Sequence, residues 1–352
     1  IADPWLTQTN IELMYKKMGD EKKLELQKYL VDRWISEANN SSGIKKIFHI
    51  EHALELARNY GFNDIVEKLR MELQNIPDSE MDLHELSVTT EIPKENIEKF
   101  ISHFSEVDDL KQGLIKIGSY GPPSGFLKEN IEFVENLSKS SPLQFIVTRQ
   151  VFDSNNIPIR AGLSIEENKQ IAVIQHETMG IQLFSLFGFE ILDRLNKKFG
   201  FNDKELLISF FTTSLIPQDL AVIISDAIVK YFHEDYYTSA LMIIPSLEAI
   251  FRNMAREVGI PIIREPIDKR PGRVRGLGEI LHDLIGKMNE DWRRYFDNAL
   301  SEPLGLNYRN RICHGLFIHP EKSDVFVLIH IVCNLRLMEI KRPNNHSGEP
   351  NK

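Results

Sequence analysis

Cysteine is nearly absent. The 352 residues contain two, Cys313 and Cys333, with none of the CxxC or Cys/His spacing of a zinc site. That excludes a disulfide-stapled module and makes a reduced, cytoplasmic setting the expectation. Long apolar runs are missing too. No charge-free stretch reaches the roughly 18 residues that span a bilayer, because Thr178 to Phe189 and Leu206 to Gln218 both stop short. No membrane partner is expected. The start at Ile1 carries no basic n-region or cleavage pattern, so it reads as a chain boundary and not a signal peptide. A fixed-period repeat is also lacking.

Phosphate-loop and metal motifs are absent as well. Gly259, Gly272, Gly276 and Gly278 lack the strand and the Lys-Ser/Thr pair of a Walker or Rossmann loop. His176-Glu177 has no second histidine to make a zinc-protease pair, and His319 and His330 have no ligand partners at metal spacing. No metal and no cofactor is expected.

What is present is ordinary globular composition, 42% hydrophobic and 26% charged. The length fits two domains. The net charge of −9 is uneven: residues 252–314 carry 12 Lys/Arg against 9 Asp/Glu, whereas residues 1–251 carry 25 against 38. A mildly basic segment on an acidic carrier is compatible with a polyanion partner and also with a plain solvated face.

The fold class read from the pattern is mostly α. From Pro4 to about Phe104, apolar residues recur at helical spacing: Leu24, Tyr29, Leu30, Trp34; Ile50, Ala53, Leu54, Ala57; Ile65, Val66, Leu69, Leu73. These describe a helical-hairpin domain over 1–118, with Gly61 ending one helix and Asn63 capping the next. Leu83 to Phe104 can be drawn as a DNA-binding helix-turn-helix, but the balanced charges Lys94, Glu95, Glu98 and Lys99 favour a structural helix pair. The run Gly118-Ser-Tyr-Gly-Pro-Pro-Ser-Gly125 reads as the linker. After it, residues 119–165 are expected to hold a short helix near Asn130 to Leu137. One β-hairpin follows, with strands at Leu143–Val151 and Ile157–Leu163 around Asp153-Ser-Asn-Asn156. Residues 166–340 are read as a second helical domain, with helices at 168–198 (breaking at Gly180 or Gly188), 203–213, 218–232, 236–258, 276–287, 290–300, 308–318 and 323–340. A disordered tail at 341–352 completes the chain. The interruption Ile263 to Gly278 holds Lys269, Arg270, Arg273 and Arg275 among Pro and Gly, so it reads as an exposed loop able to meet phosphate.

The segment richest in chemistry is Gly305-Leu-Asn-Tyr-Arg-Asn-Arg-Ile-Cys-His-Gly315. Asn307 reads as an N-cap whose helix would offer free N–H groups to an anion, with Arg309 and Arg311 adding charge. Asn310 and His314 are four apart and share a face. Arg309 and His314 are five apart, about 140° around the helix, so one straight helix does not aim both at one atom; a two-fold pair of helices would.

Arg309-Asn310-x-x-x-His314 resembles the R-x4-6-H signature of the HEPN superfamily (higher eukaryote and prokaryote nucleotide-binding domains). With Tyr237 to Arg252, Leu277 to Leu281 and Leu306 to Gly315, the stretch 230–340 resembles a C-terminal domain of unknown function. That domain is shared by bacterial proteins and the animal endoplasmic-reticulum-membrane-associated RNA degradation protein. The resemblance implies a helical bundle that dimerises through its signature helices and cleaves RNA without metal, in settings such as antiphage defence or toxin–antitoxin systems. On that reading Arg309, His314 and Asn310 are catalytic; Arg311, Asn307, Lys269, Arg270, Arg273 and Arg275 contact substrate; and the N-terminal domain serves recognition or regulation, with a regulatory protein as a further partner. The alternative is a non-catalytic module that binds RNA or nucleotide or scaffolds a protein.

Glu248 and Arg252, at i and i+4, form either a simple intrahelical pair or a buttress for the signature helix. Cys313 and Cys333 read as core filler, and so do the clusters Phe184, Phe187, Phe189 and Phe210, Phe211.

Overall fold

The computed structural model describes residues 8–11, 13, 19–77, 91–147, 149–152, 158–162, 164–266 and 272–339. The described chain is mostly α-helical, with two short antiparallel strand pairs. Two compact units divide it: Ile1–Thr90 with Phe152–Ile159, and Glu91–Val151 with Arg160–Lys352.

In the first unit, α1 (Asp20–Asn39), α2 (Gly43–Tyr60) and α3 (Asn63–Gln74) surround their own core. The buried stripe of α1 is Leu30, Val31, Trp34 and Ala38, packed with Ile50, Ala53, Leu54 and Ala57 of α2. Leu24 and Tyr29, expected on that stripe, are exposed. Gly61, at φ 79°, ends α2 in the left-handed region as its sequence position requires. Asn63 sits one place inside α3, and Phe62 takes the cap position without a side-chain bond.

The chain from Glu91 onward forms α4 (Lys94–Ser105), α5 (Leu110–Ser119), α6 (Leu127–Ser140), α7 (Leu143–Ile146), β1 (Arg149–Phe152), β2 (Pro158–Gly162), α8 (Ile165–Phe199), α9 (Lys204–Phe211), α10 (Gln218–Phe232), α11 (Tyr236–Glu257), β3 (Ile263–Arg264), β4 (Arg273–Val274), α12 (Leu277–Asp283), α13 (Glu290–Leu300), α14 (Tyr308–Cys313) and α15 (Lys322–Leu337), all of it in the second unit except Phe152 of β1 and Pro158–Ile159 of β2. The axis of that unit is α15, buried without a break from Val325 to Leu335 and packed by α5, α8, α10 and α11. A helix that is apolar all round must be enclosed by others, and this one is.

Three expectations are corrected. The Gly118–Gly125 run is not the boundary between the compact units; it is packed inside the second one. Asn334 Nδ2 donates to Gly118 O at 2.8 Å, and a Cβ at Gly118 would lie 2.5 Å from Cys333 O. The glycine is there for helix-to-backbone contact, not for flexibility. The expected strand at Leu143–Val151 begins only at Arg149, because Pro142 opens a helical turn that buries Phe145 against Val134 and Val173. Helix α8 runs unbroken through Gly180 and Gly188. Both glycines admit close neighbours: a Cβ would lie 2.7 Å from Pro123 O at the first and 1.9 Å from the Phe326 ring at the second. The turn Asp153–Asn156, the first part of the drawn helix-turn-helix (83–90) and the tail 341–352 lie outside the described residues.

Candidate functional site on a six-residue helix

Helix α14 is short because both ends are fixed. At its start Asn307 adopts φ 51°, and its backbone N–H donates to Asn298 O at 3.2 Å. At its end Gly315 lies at φ 70°. Leu316 N donates to Arg311 O at 2.8 Å and Gly315 N to Ile312 O at 3.1 Å, the two bonds of a Schellman stop. The helix therefore ends at Cys313 and not at residue 318, and His314 occupies its C-cap.

Arg309 is held on two sides. Its Nε donates to Glu248 Oε1 of α11 at 2.5 Å, and its Nη1 donates to Asn310 Oδ1 at 2.8 Å. Asn310 Nδ2 in turn donates to Asn307 Oδ1 at 2.8 Å. Asn307 therefore acts through its side-chain oxygen on Asn310 and makes no side-chain cap on the helix's first N–H groups, contrary to expectation. Glu248 also takes Arg252 Nη2 on Oε2 at 2.5 Å, so the intrahelical pair and the buttress coexist. Its side chain is only 12% exposed, against 27% for Arg309 and 25% for Arg252. One carboxylate between two guanidinium groups leaves a net positive charge beside α14, and Arg309 Nη2 keeps its hydrogens without an acceptor among the described residues.

His314 is exposed, and its ring has no partner among the described residues. Cys313 beside it is exposed at its edge, though its thiol is pushed up by partial burial. An ionised sulfur nucleophile at neutral pH is thereby disfavoured.

No protein-family model, no curated protein and no solved structure matches this chain.

The remaining expected residues divide. Arg311 lies with its guanidinium carbon 4.3 Å from the Phe317 ring centroid and donates to Leu306 O at 3.3 Å, so it braces the turn instead of facing outward. Arg275 is engaged by Asp283 at 2.7 Å, Glu279 at 3.4 Å and Pro261 O at 3.0 Å. Arg273 is exposed on β4, opposite Arg264 of β3, in a short hairpin where a loop was expected. Lys269 and Arg270 lie outside the described residues. No cluster that could hold a metal ion and no helix long and apolar enough to cross a membrane occurs among the described residues.

One anchor escaped the sequence reading. Tyr308 Oη donates to Asp324 Oδ1 at 2.6 Å, and Asp324 Oδ2 accepts from Glu321 N at 2.7 Å in the capping box of α15. This bolts α14 to α15. Burial next to Asp324 pushes the Tyr308 phenol well above its usual range, so it stays a donor. The Glu321-x-x-Asp324 spacing was the available signal.

Proposed function

We propose that this chain is a metal-independent endoribonuclease of the HEPN type, working as a homodimer whose two α14 helices face each other. One observation carries the reading. A single short helix presents an arginine locked by a carboxylate and an amide and, at its C-cap, a histidine with a free, exposed ring. Imidazole, with an unperturbed pKa of about 6.5, exchanges protons readily near neutrality.

In the step envisaged, the ribose 2′-oxygen attacks the adjacent phosphorus while one His314 takes its proton. The bond from phosphorus to the 5′-oxygen breaks, and the second subunit's His314 protonates that oxygen. The products are a 2′,3′-cyclic phosphate and a 5′-hydroxyl. Arg309, through the hydrogens that Glu248 and Asn310 leave unused, offsets charge on the phosphorane oxygens. Asn310 fixes the guanidinium plane. The test is incubation of the purified protein with a mixed-sequence RNA panel in EDTA, with DNA and duplex controls and end-group analysis. Cyclic-phosphate ends in EDTA support the reading; ends that require a divalent cation overturn it.

A second reading has its own observation. Arg311 and Arg275 are both spent on protein partners, which leaves a thin basic surface and favours a non-catalytic module that binds RNA or nucleotide or scaffolds a protein. A steep fall of RNA affinity with salt separates an RNA cleft from a scaffold.

A further inference from the structure

Helix α8 carries apolar side chains on two faces. One buries Ile181, Phe184, Ile191 and Leu192 in the core of the second unit. On the other, Met179, Leu183 and Leu186 are exposed at 58%, 47% and 56%. Together with the half-buried His176 they follow one another at intervals of three, four and three residues. That alternation, 3.5 residues on average, is the seam by which helices pair in coiled coils.

The apolar face extends beyond the seam. The Phe133 ring of α6 stacks on His176 with centroids 4.2 Å apart. Phe126, just before α6, lines a groove of about 710 Å³ together with Leu183, Tyr120 and Ile92. Ile92, Tyr120, Phe126 and Phe133 are each between 38% and 50% exposed. The groove is fixed in shape: buried Asn130 donates through Nδ2 to Ser124 O at 2.9 Å, and Gly180 of α8 leaves room for Pro123 O.

Area decides what such a face is for. These seven side chains expose on the order of 600 Å² of largely apolar surface, the top of the range for the largest patch on a soluble monomer. A standard interface buries about 800 Å² per partner, a little over half of it apolar, so this face supplies what a stable dimer needs. Charge points to the kind of partner. From Thr178 to Phe189, α8 carries no charged residue, exposed Gln175 and Gln182 flank the seam, and Glu129 is the only charged residue lining the groove. Nothing there attracts a polyanion, and no block of like charge holds two copies of the face apart. We propose that this face pairs with its own copy about a two-fold axis, α8 against α8, with protruding side chains of each chain entering the groove of the other. The contact does not use α14 and is independent of the activity proposed above.

Sedimentation equilibrium of the full chain at micromolar concentrations tests this, with Leu183→Glu, Leu186→Glu and, beside α14, Leu316→Glu. All three positions are exposed, so the variants keep the fold, which circular dichroism checks. A carboxylate in the seam would be buried against the facing copy, so each α8 variant should weaken association more than ~10-fold, while Leu316→Glu leaves this contact intact. Where α14 pairs as well, the wild type is a tetramer, Leu183→Glu and Leu316→Glu each leave a dimer, and the double variant is a monomer. A wild type that stays monomeric at high micromolar concentration would overturn the proposal and leave the face to another occupant, such as a small apolar molecule in the groove. An assembly whose mass is unchanged in folded Leu183→Glu and Leu186→Glu would overturn it too.

Discussion

The carboxylate of Glu248 reaches across from α11 to fix Arg309, with Oε1 2.5 Å from Arg309 Nε while Oε2 holds Arg252 Nη2 at the same distance. The shared carboxylate sets the orientation of the candidate catalytic arginine and keeps two like charges apart.

Replacing it has a defined consequence. Glu248→Gln keeps the shape but leaves Arg252 and Arg309 adjacent without a counter-charge in a half-buried place. A stability loss of about 2 kcal/mol is expected, the range for a hydrogen bond to a charged group. Urea unfolding measures it. RNA cleavage should fall in the same variant even where folding is complete, because Arg309 is no longer aimed.

Two glycines separate close packing from backbone freedom. Gly118→Ala puts a methyl against the Cys333 carbonyl of the central helix, where neither side can yield, and about 3 kcal/mol of destabilisation is expected. Gly315→Ala meets nothing within 4 Å and bears only the left-handed backbone, about 1 kcal/mol. Thermal melts of the two variants rank them. If Gly118 sat in a free linker, the order would reverse.

Acid sensitivity should come from the core. His330 sits fully buried on α15, its Nδ1 sharing a 2.8 Å hydrogen bond with the Tyr295 hydroxyl. Burial pushes its pKa from the ordinary 6.5 down to about 3. Between those two values the unfolded chain holds a proton that the folded chain refuses, so stability falls as pH falls, by about 1.4 kcal/mol per unit. Below about pH 3 this loss is complete. Chemical denaturation at pH 7, 6 and 5 should show this slope, and His330→Gln should flatten it.

Much of each unit was legible because its chemistry is local. The stretch Val325–Leu335, apolar but for His330 and Asn334, marks a helix enclosed on all sides, and the left-handed stop at Gly61 follows from glycine after a helical stripe. The 118–125 run was misread because Gly and Pro give the same pattern whether a turn floats or is pinned. Only the distant Cys333 and Asn334 decide which. The same limit governed the site. Arg309 and Asn310 were named from a resemblance to the R-x4-6-H signature and Glu248 from its spacing to Arg252, and their joining is a tertiary fact. The neutralisation of Arg275 was partly visible, since Glu279 follows at i+4 on a helix-forming stretch. The early end of α14 is carried by Gly315, which takes the left-handed conformation that stops a helix.

The most direct measurement is RNA cleavage in EDTA by the wild type, Arg309→Ala and His314→Ala proteins, with the rate followed from pH 5 to pH 8. Loss of at least ~10²-fold in each variant, with the pH dependence of the wild-type rate lost in His314→Ala, is the expected result. Cleavage by folded His314→Ala at the wild-type rate would contradict the assignment of α14 as the catalytic helix.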